Sequence, residues 1–136
     1  MNYWRKKYFP AQKQMSEVNR QFGLTGELNA LEKLRRLDPT IIRREARYEI
    51  VDFCGDSADV ELKTRRIAYG YYPDVMIGVN KINEYTGAKK LYFAFQFTNG
   101  LYYIEYTPEA FSNIIRRTFK GSNCFFINLD RLTLLA

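Results

Sequence analysis

The stretch Asp59-Val60-Glu61-Leu62-Lys63-Thr64-Arg65 alternates polar or charged with apolar side chains over its first five residues and stays polar to its end. An extended chain sorts such a pattern. Asp59, Glu61, Lys63 and Arg65 fall on one face, Val60 and Leu62 on the other. Tyr48 to Phe53, just upstream, also reads as a strand, with Asp52 set between Val51 and Phe53. Cys54-Gly55-Asp56-Ser57 is short enough to join the two strands as a hairpin. With the turn at Asp56-Ser57, Asp52 stands opposite Glu61. With the turn at Gly55-Asp56, it stands opposite Asp59. Either register gathers Asp52, Glu61 and Lys63 on one face and turns Val51, Phe53, Val60 and Leu62 toward the core.

The remaining elements follow from caps, breakers and period. A helix is expected from about Thr25, capped by Thr25 or Gly26, to Leu37, stopped by Asp38-Pro39, with Leu28, Ala30, Leu31, Leu34 and Leu37 as its apolar stripe. Residues 1–22 read as an N-terminal arm or a short helix, with Pro10 as a breaker. Leu91 to Thr98 and Leu101 to Tyr106 flank Asn99-Gly100, a preferred pair for a type I′ hairpin turn. Ala68 to Gly78 reads as irregular, Val79 to Tyr85 as a short helix, and Thr107-Pro108-Glu109 as the start of a helix running to about Thr118. Cys124 to Leu129 reads as a last strand. The 136 residues are the size of one domain, and the order of elements implies an α/β fold around a mixed sheet.

The chain has no histidine. That excludes Ser-His-Asp triads, Cys-His dyads and His-ligated zinc. A metal here is expected to be a hard cation on oxygen ligands: magnesium, manganese or calcium. Two cysteines are too few for a disulfide framework, and no apolar run approaches the roughly 20 residues of a membrane span. The start is not patterned as a secretory signal. An intracellular setting with no membrane partner is the expectation. The net charge is +6, with basic pairs at Lys6-Lys7, Arg35-Arg36, Arg43-Arg44, Arg65-Arg66, Lys89-Lys90 and Arg116-Arg117. Such a surface suits phosphate backbones and also suits ordinary solubility.

Asp52 and Glu61 side by side repel unless something positive lies between them. A divalent cation meets that need, with one oxygen from each carboxylate and a third from the Leu62 carbonyl. Lys63 leans over the same place, where it can orient or deprotonate a water. A solvated strand with cross-strand ion pairs fits the same spacing. Glu27 lies on the apolar side of its helix, with Ala30, Leu31 and Leu34 on the same face. It is a further candidate ligand or, alternatively, a first-turn residue favoured by the helix dipole. Gln96, between Phe95 and Phe97, is a candidate contact to the attacking water or Lys63. Lys81, Arg65 and Arg66 are candidate phosphate partners. Each of these also reads as an ordinary sheet or surface residue.

A helix Glu, then Asp, then Glu-x-Lys on the next strand resembles the PD-(D/E)xK nuclease superfamily, through Glu27, Asp52 and Glu61-Leu62-Lys63. Val51 stands where the motif has proline. The stretch from Glu61 to Arg65, followed by Tyr72-Pro73-Asp74-Val75-Met76-Ile77-Gly78 and Asn80-Lys81-Ile82, is similar to small phage and large-virus proteins of that superfamily. The resemblance implies a restriction-endonuclease-like core, a mixed central sheet flanked by helices. It implies a magnesium- or manganese-dependent phosphodiesterase; the first reading is an endonuclease acting on DNA in preference to RNA, with a homodimer cutting branched DNA as one form of it. A non-catalytic nucleic-acid-binding protein on the same fold and an endoribonuclease are the alternatives.

Overall fold

The computed structural model describes residues 3–44 and 51–136, with side chains from Glu17 onward. Its order is α1 (Tyr3–Leu34), β1 (Ile42–Arg43), β2 (Phe53–Cys54), β3 (Ala58–Thr64), β4 (Asp74–Gly78), α2 (Val79–Asn83), β5 (Lys90–Phe97), β6 (Gly100–Tyr106), α3 (Pro108–Phe111), β7 (Ile115–Phe119), β8 (Ser122–Asn128), a 3₁₀ turn (Leu129–Arg131) and β9 (Thr133–Leu134). The architecture is α/β. A six-stranded mixed sheet runs β1-β2-β3-β5-β6-β9, and a three-stranded sheet runs β4-β8-β7.

The β2–β3 register pairs Phe53 with Val60 and Cys54 with Asp59. The turn is therefore Asp56-Ser57, and Asp52 stands opposite Glu61. β3 runs parallel to β5, which requires a long crossover; residues 65–89 supply it and carry β4 and α2.

Two apolar layers sandwich the larger sheet. Under α1, Ala30 and Leu34 pack with Phe53, Val60, Leu62, Tyr92 and Ala94. On the opposite face Phe93, Phe95 and Phe97 pack with Val75, Ile77, Phe125 and Ile127 of the smaller sheet. β5 is thus apolar on both faces, as a strand covered on both sides must be. The expected flanking helix on this second face is replaced by a second sheet.

Several expectations are corrected. The helix begins at Tyr3 and continues through Pro10, so Thr25 and Gly26 lie inside it and cap nothing. It ends at Leu34, before Asp38-Pro39, and Leu28 is exposed on its outer face. Val51 leaves the ladder and joins the layer containing Phe93. In the second hairpin Phe97 pairs with Gly100, so the turn is Thr98-Asn99. Neither Asn99 nor Gly100 has positive φ, so the type I′ turn is not there. It lies instead at Lys120-Gly121 (φ 50° and 82°), joining β8 to β7, which stands where the helix was expected to run to about Thr118. Residues 74–78 are strand β4, held by pairing with β8. Tyr48 to Ile50 of the expected first strand lie outside the described residues.

Two glycines mark close approaches. A Cβ on Gly26 would overlap the Thr64 hydroxyl and methyl, so α1 lies directly on β3 there. A Cβ on Gly55 would come 2.5 Å from Asp38 Oδ2. Buried Asp38 accepts from the Thr40 amide and hydroxyl and from the Ser57 amide and hydroxyl, at 2.7–2.9 Å. The Thr40 hydroxyl, with the Ser57 and Thr40 amides, holds that carboxyl well below the usual carboxylate range. It ties the segment after α1 to the first hairpin turn.

Candidate functional site

The alternation in β3 delivers Asp59 and Glu61 as buried carboxylates, 6% and 8% exposed. A buried carboxylate needs partners, and the two find different ones. Asp59 Oδ2 accepts from Tyr85 Oη at 2.6 Å, and its Oδ1 lies 3.9 Å from Lys89 Nζ. Burial and then Asp59 push the Tyr85 phenol up to about 12. Asp59 is therefore committed to a structural contact.

Glu61 meets Lys81 of α2, whose Nζ lies 3.1 Å from Glu61 Oε1. Asp52 Oδ2 accepts from the Leu62 amide at 2.8 Å, and the Asp52 amide donates to Val60 O at 3.0 Å. Burial first, and Glu61 second, push the Asp52 carboxyl up to about 6, against the pull of the Leu62 amide. Glu27 adds to the rise and Lys81 opposes it. Half-buried Lys63 lies among the same charges. Burial, then Arg65, lower its pKa, Glu61 and Asp52 pull it back up, and Lys81 adds to the fall. Two carboxylates and two ammonium groups thus converge where β2 and β3 meet α2.

Glu27 is half-buried, and its Oε2 accepts from Arg43 Nε at 2.9 Å. Its charge reaches Asp52, but its direct partner is a guanidinium on β1. Among the described residues, no three His, Cys, Asp or Glu side chains cluster so as to hold a metal ion. A cation at this place would rest on Asp52, Glu61 and the Leu62 carbonyl.

Gln96 is not brought to Lys63. It pairs with Thr64, while Lys63 pairs with Phe95, so alternation puts Gln96 on the α1 face. Its Nε2 donates to Phe97 O at 2.9 Å and to Gly100 O at 3.3 Å. It lines a cleft of about 510 Å³ with Thr25, Asn29, Lys33 and Arg65. Arg65 is half-buried, and burial lowers its pKa. Exposed Arg66 donates to Asn19 Oδ1 at 3.1 Å and lies 4.2 Å above the Phe22 ring.

Sequence reasoning missed Arg43 as the partner of Glu27, and Tyr85 and Lys89 as the partners of Asp59. β1 is two residues long and carries no periodic signal, and the other two arrive through the crossover. Cys54 and Cys124 are both free thiols. No described helix is long and apolar enough to cross a membrane. In comparisons with known proteins, the chain matches no family model and no curated protein.

Proposed function

We propose that this chain is a metal-dependent nuclease of the PD-(D/E)xK type, an endonuclease that hydrolyses phosphodiester bonds in DNA in preference to RNA. The observation that carries the reading is the convergence of Asp52, Glu61, Lys63 and Lys81 on one hairpin face. The donor set is all oxygen, and the Asp52 carboxyl is raised first by burial and then by the Glu61 charge beside it. A hard divalent cation fits that charge and those ligands, and Asp52, Glu61 and the Leu62 carbonyl would hold it. When bound, such an ion acidifies water and polarises a phosphoryl oxygen.

The protein's own groups have distinct work. The Leu62 amide fixes the Asp52 carboxylate. Lys63, with its charge disfavoured by burial, orients the attacking water and can accept its proton at Nζ. Lys81 offers its ammonium to a phosphate oxygen when it leaves Glu61. Water adds to phosphorus, the phosphorus–oxygen ester bond breaks, and a proton passes to the leaving oxygen.

One observation favours a second reading. The Lys81–Glu61 and Arg43–Glu27 pairs give two of the three motif carboxylates a cation without any metal. That arrangement suits a nucleic-acid-binding protein with no turnover. A panel of plasmid, linear, single-stranded and branched DNA and RNA, each with magnesium, manganese or EDTA, separates the two. The nuclease reading expects cleavage with magnesium or manganese, no need for zinc, and none in EDTA. Binding without cleavage across the whole panel supports the second reading.

A further inference from the structure

β7 is the edge strand of the smaller sheet, and all five of its residues are exposed. With β8, which pairs on its other side with β4, it forms a hairpin closed by Lys120-Gly121. Ile115 to Asn128 contains no Asp or Glu and carries Arg116, Arg117 and Lys120. Each cation is laid against an aromatic ring. Arg116 lies 4.8 Å from the Phe125 centroid, Arg117 5.3 Å from Phe126 and Lys120 5.4 Å from Phe119. None of the three has an ion-pair partner among the described residues. A ring backing restricts a long side chain before it meets its ligand, which lowers the entropy lost on binding.

We infer that the β7–β8 hairpin is a docking arm for the phosphate backbone of duplex DNA. This rests on the nucleic-acid reading of the Asp52–Glu61 site and extends it to a second surface. Three cations with no ion-pair partner among the described residues match phosphate oxygens of a duplex backbone. The arm is also continuous with the candidate site. Ser122 and Asn123, just past the turn, share a cleft of about 550 Å³ with Val79, Asn80 and Asn83 of α2 and with Glu84, the one carboxylate among its described lining residues. α2 carries Lys81, which meets Glu61. Pairing of β7 with a second copy is disfavoured, because an antiparallel edge centred on this pair would set Arg116 of each copy opposite Arg117 of the other.

The test is binding of a fluorescein-labelled 20-base-pair duplex in EDTA, read by anisotropy across a salt series. Because nothing is cut, the outcome does not depend on whether the site turns over. The Arg116→Gln/Arg117→Gln/Lys120→Gln protein is expected to bind roughly tenfold or more weakly, with its salt slope reduced by about 2–3. A control losing the same charge, Arg20→Gln/Arg36→Gln/Lys90→Gln, is expected to keep most affinity. Lys120→Glu, a single change at the exposed turn, gives the same direction if the triple variant melts early. Unchanged affinity and slope in the triple variant and in Lys120→Glu overturn the proposal. So does equal loss in the control, or a variant that dissolves a dimer yet leaves DNA affinity intact.

Discussion

Asp52 carries an unusual load for a carboxylate beside a hairpin. Its pKa rises from 3.8 to about 6 in the folded protein. The folded state therefore holds a proton that the unfolded state releases between those values. Stability from this group is full below about pH 4 and is lost as pH rises through about 6. The metal-free protein is expected to lose melting temperature over that window, and Asp52→Asn is expected to flatten the slope. A melting curve against pH, with EDTA present, checks it; an unchanged slope in Asp52→Asn would mean another group is responsible. Activity is expected to run the other way, rising as Asp52 ionises. This pairing was readable in the sequence because it is local: alternation and a two-residue turn are enough to bring Asp52 to Glu61. The Lys81 contact to Glu61 and the Arg43 contact to Glu27 were not readable as contacts, because they depend on how distant elements pack.

Among the elements, α1 and β3 show how glycine sets the spacing around the site. Alanine is worth up to about 1 kcal/mol over glycine inside a helix. At Gly26 the new Cβ would strike Thr64, and overpacking of this kind costs about 1–3 kcal/mol. Gly26→Ala is expected to destabilise the protein, and Thr64→Ala to recover at least about 1 kcal/mol of that loss in a double-mutant cycle by denaturant unfolding. Additive effects would show that α1 does not press on β3. Elements with a strong period were legible: β3, β5, β6 and the Ala30–Leu34 stripe of α1. β7 was not, because Thr107-Pro108 does start a helix, and the apolar residues after it continue a helical spacing. Lys120-Gly121 was the local signal that would have turned that segment into a hairpin. Asn99-Gly100 misled by one position, since pairing with Phe97 draws Gly100 into the ladder.

At the scale of the whole molecule, three layers fix where chemistry can occur. α1 covers one face of the larger sheet, and the smaller sheet covers the other. The crossover between parallel β3 and β5 carries α2 to the rim, where Lys81 closes over Glu61. A mixed α/β architecture was legible from the order of elements. The second sheet was not, because its β4–β8 pairing joins residues some fifty apart in sequence. In the function we propose, Asp52 and Glu61 act as one oxygen site for a divalent ion at which nucleic acid is cut. The most direct measurement is manganese-dependent cleavage of supercoiled plasmid by the native protein and by Glu61→Gln, side by side and with matched melting temperatures. The account predicts nicking by the native protein that EDTA stops and that Glu61→Gln loses almost entirely. Equal nicking by Glu61→Gln, or nicking that persists in EDTA, would contradict it.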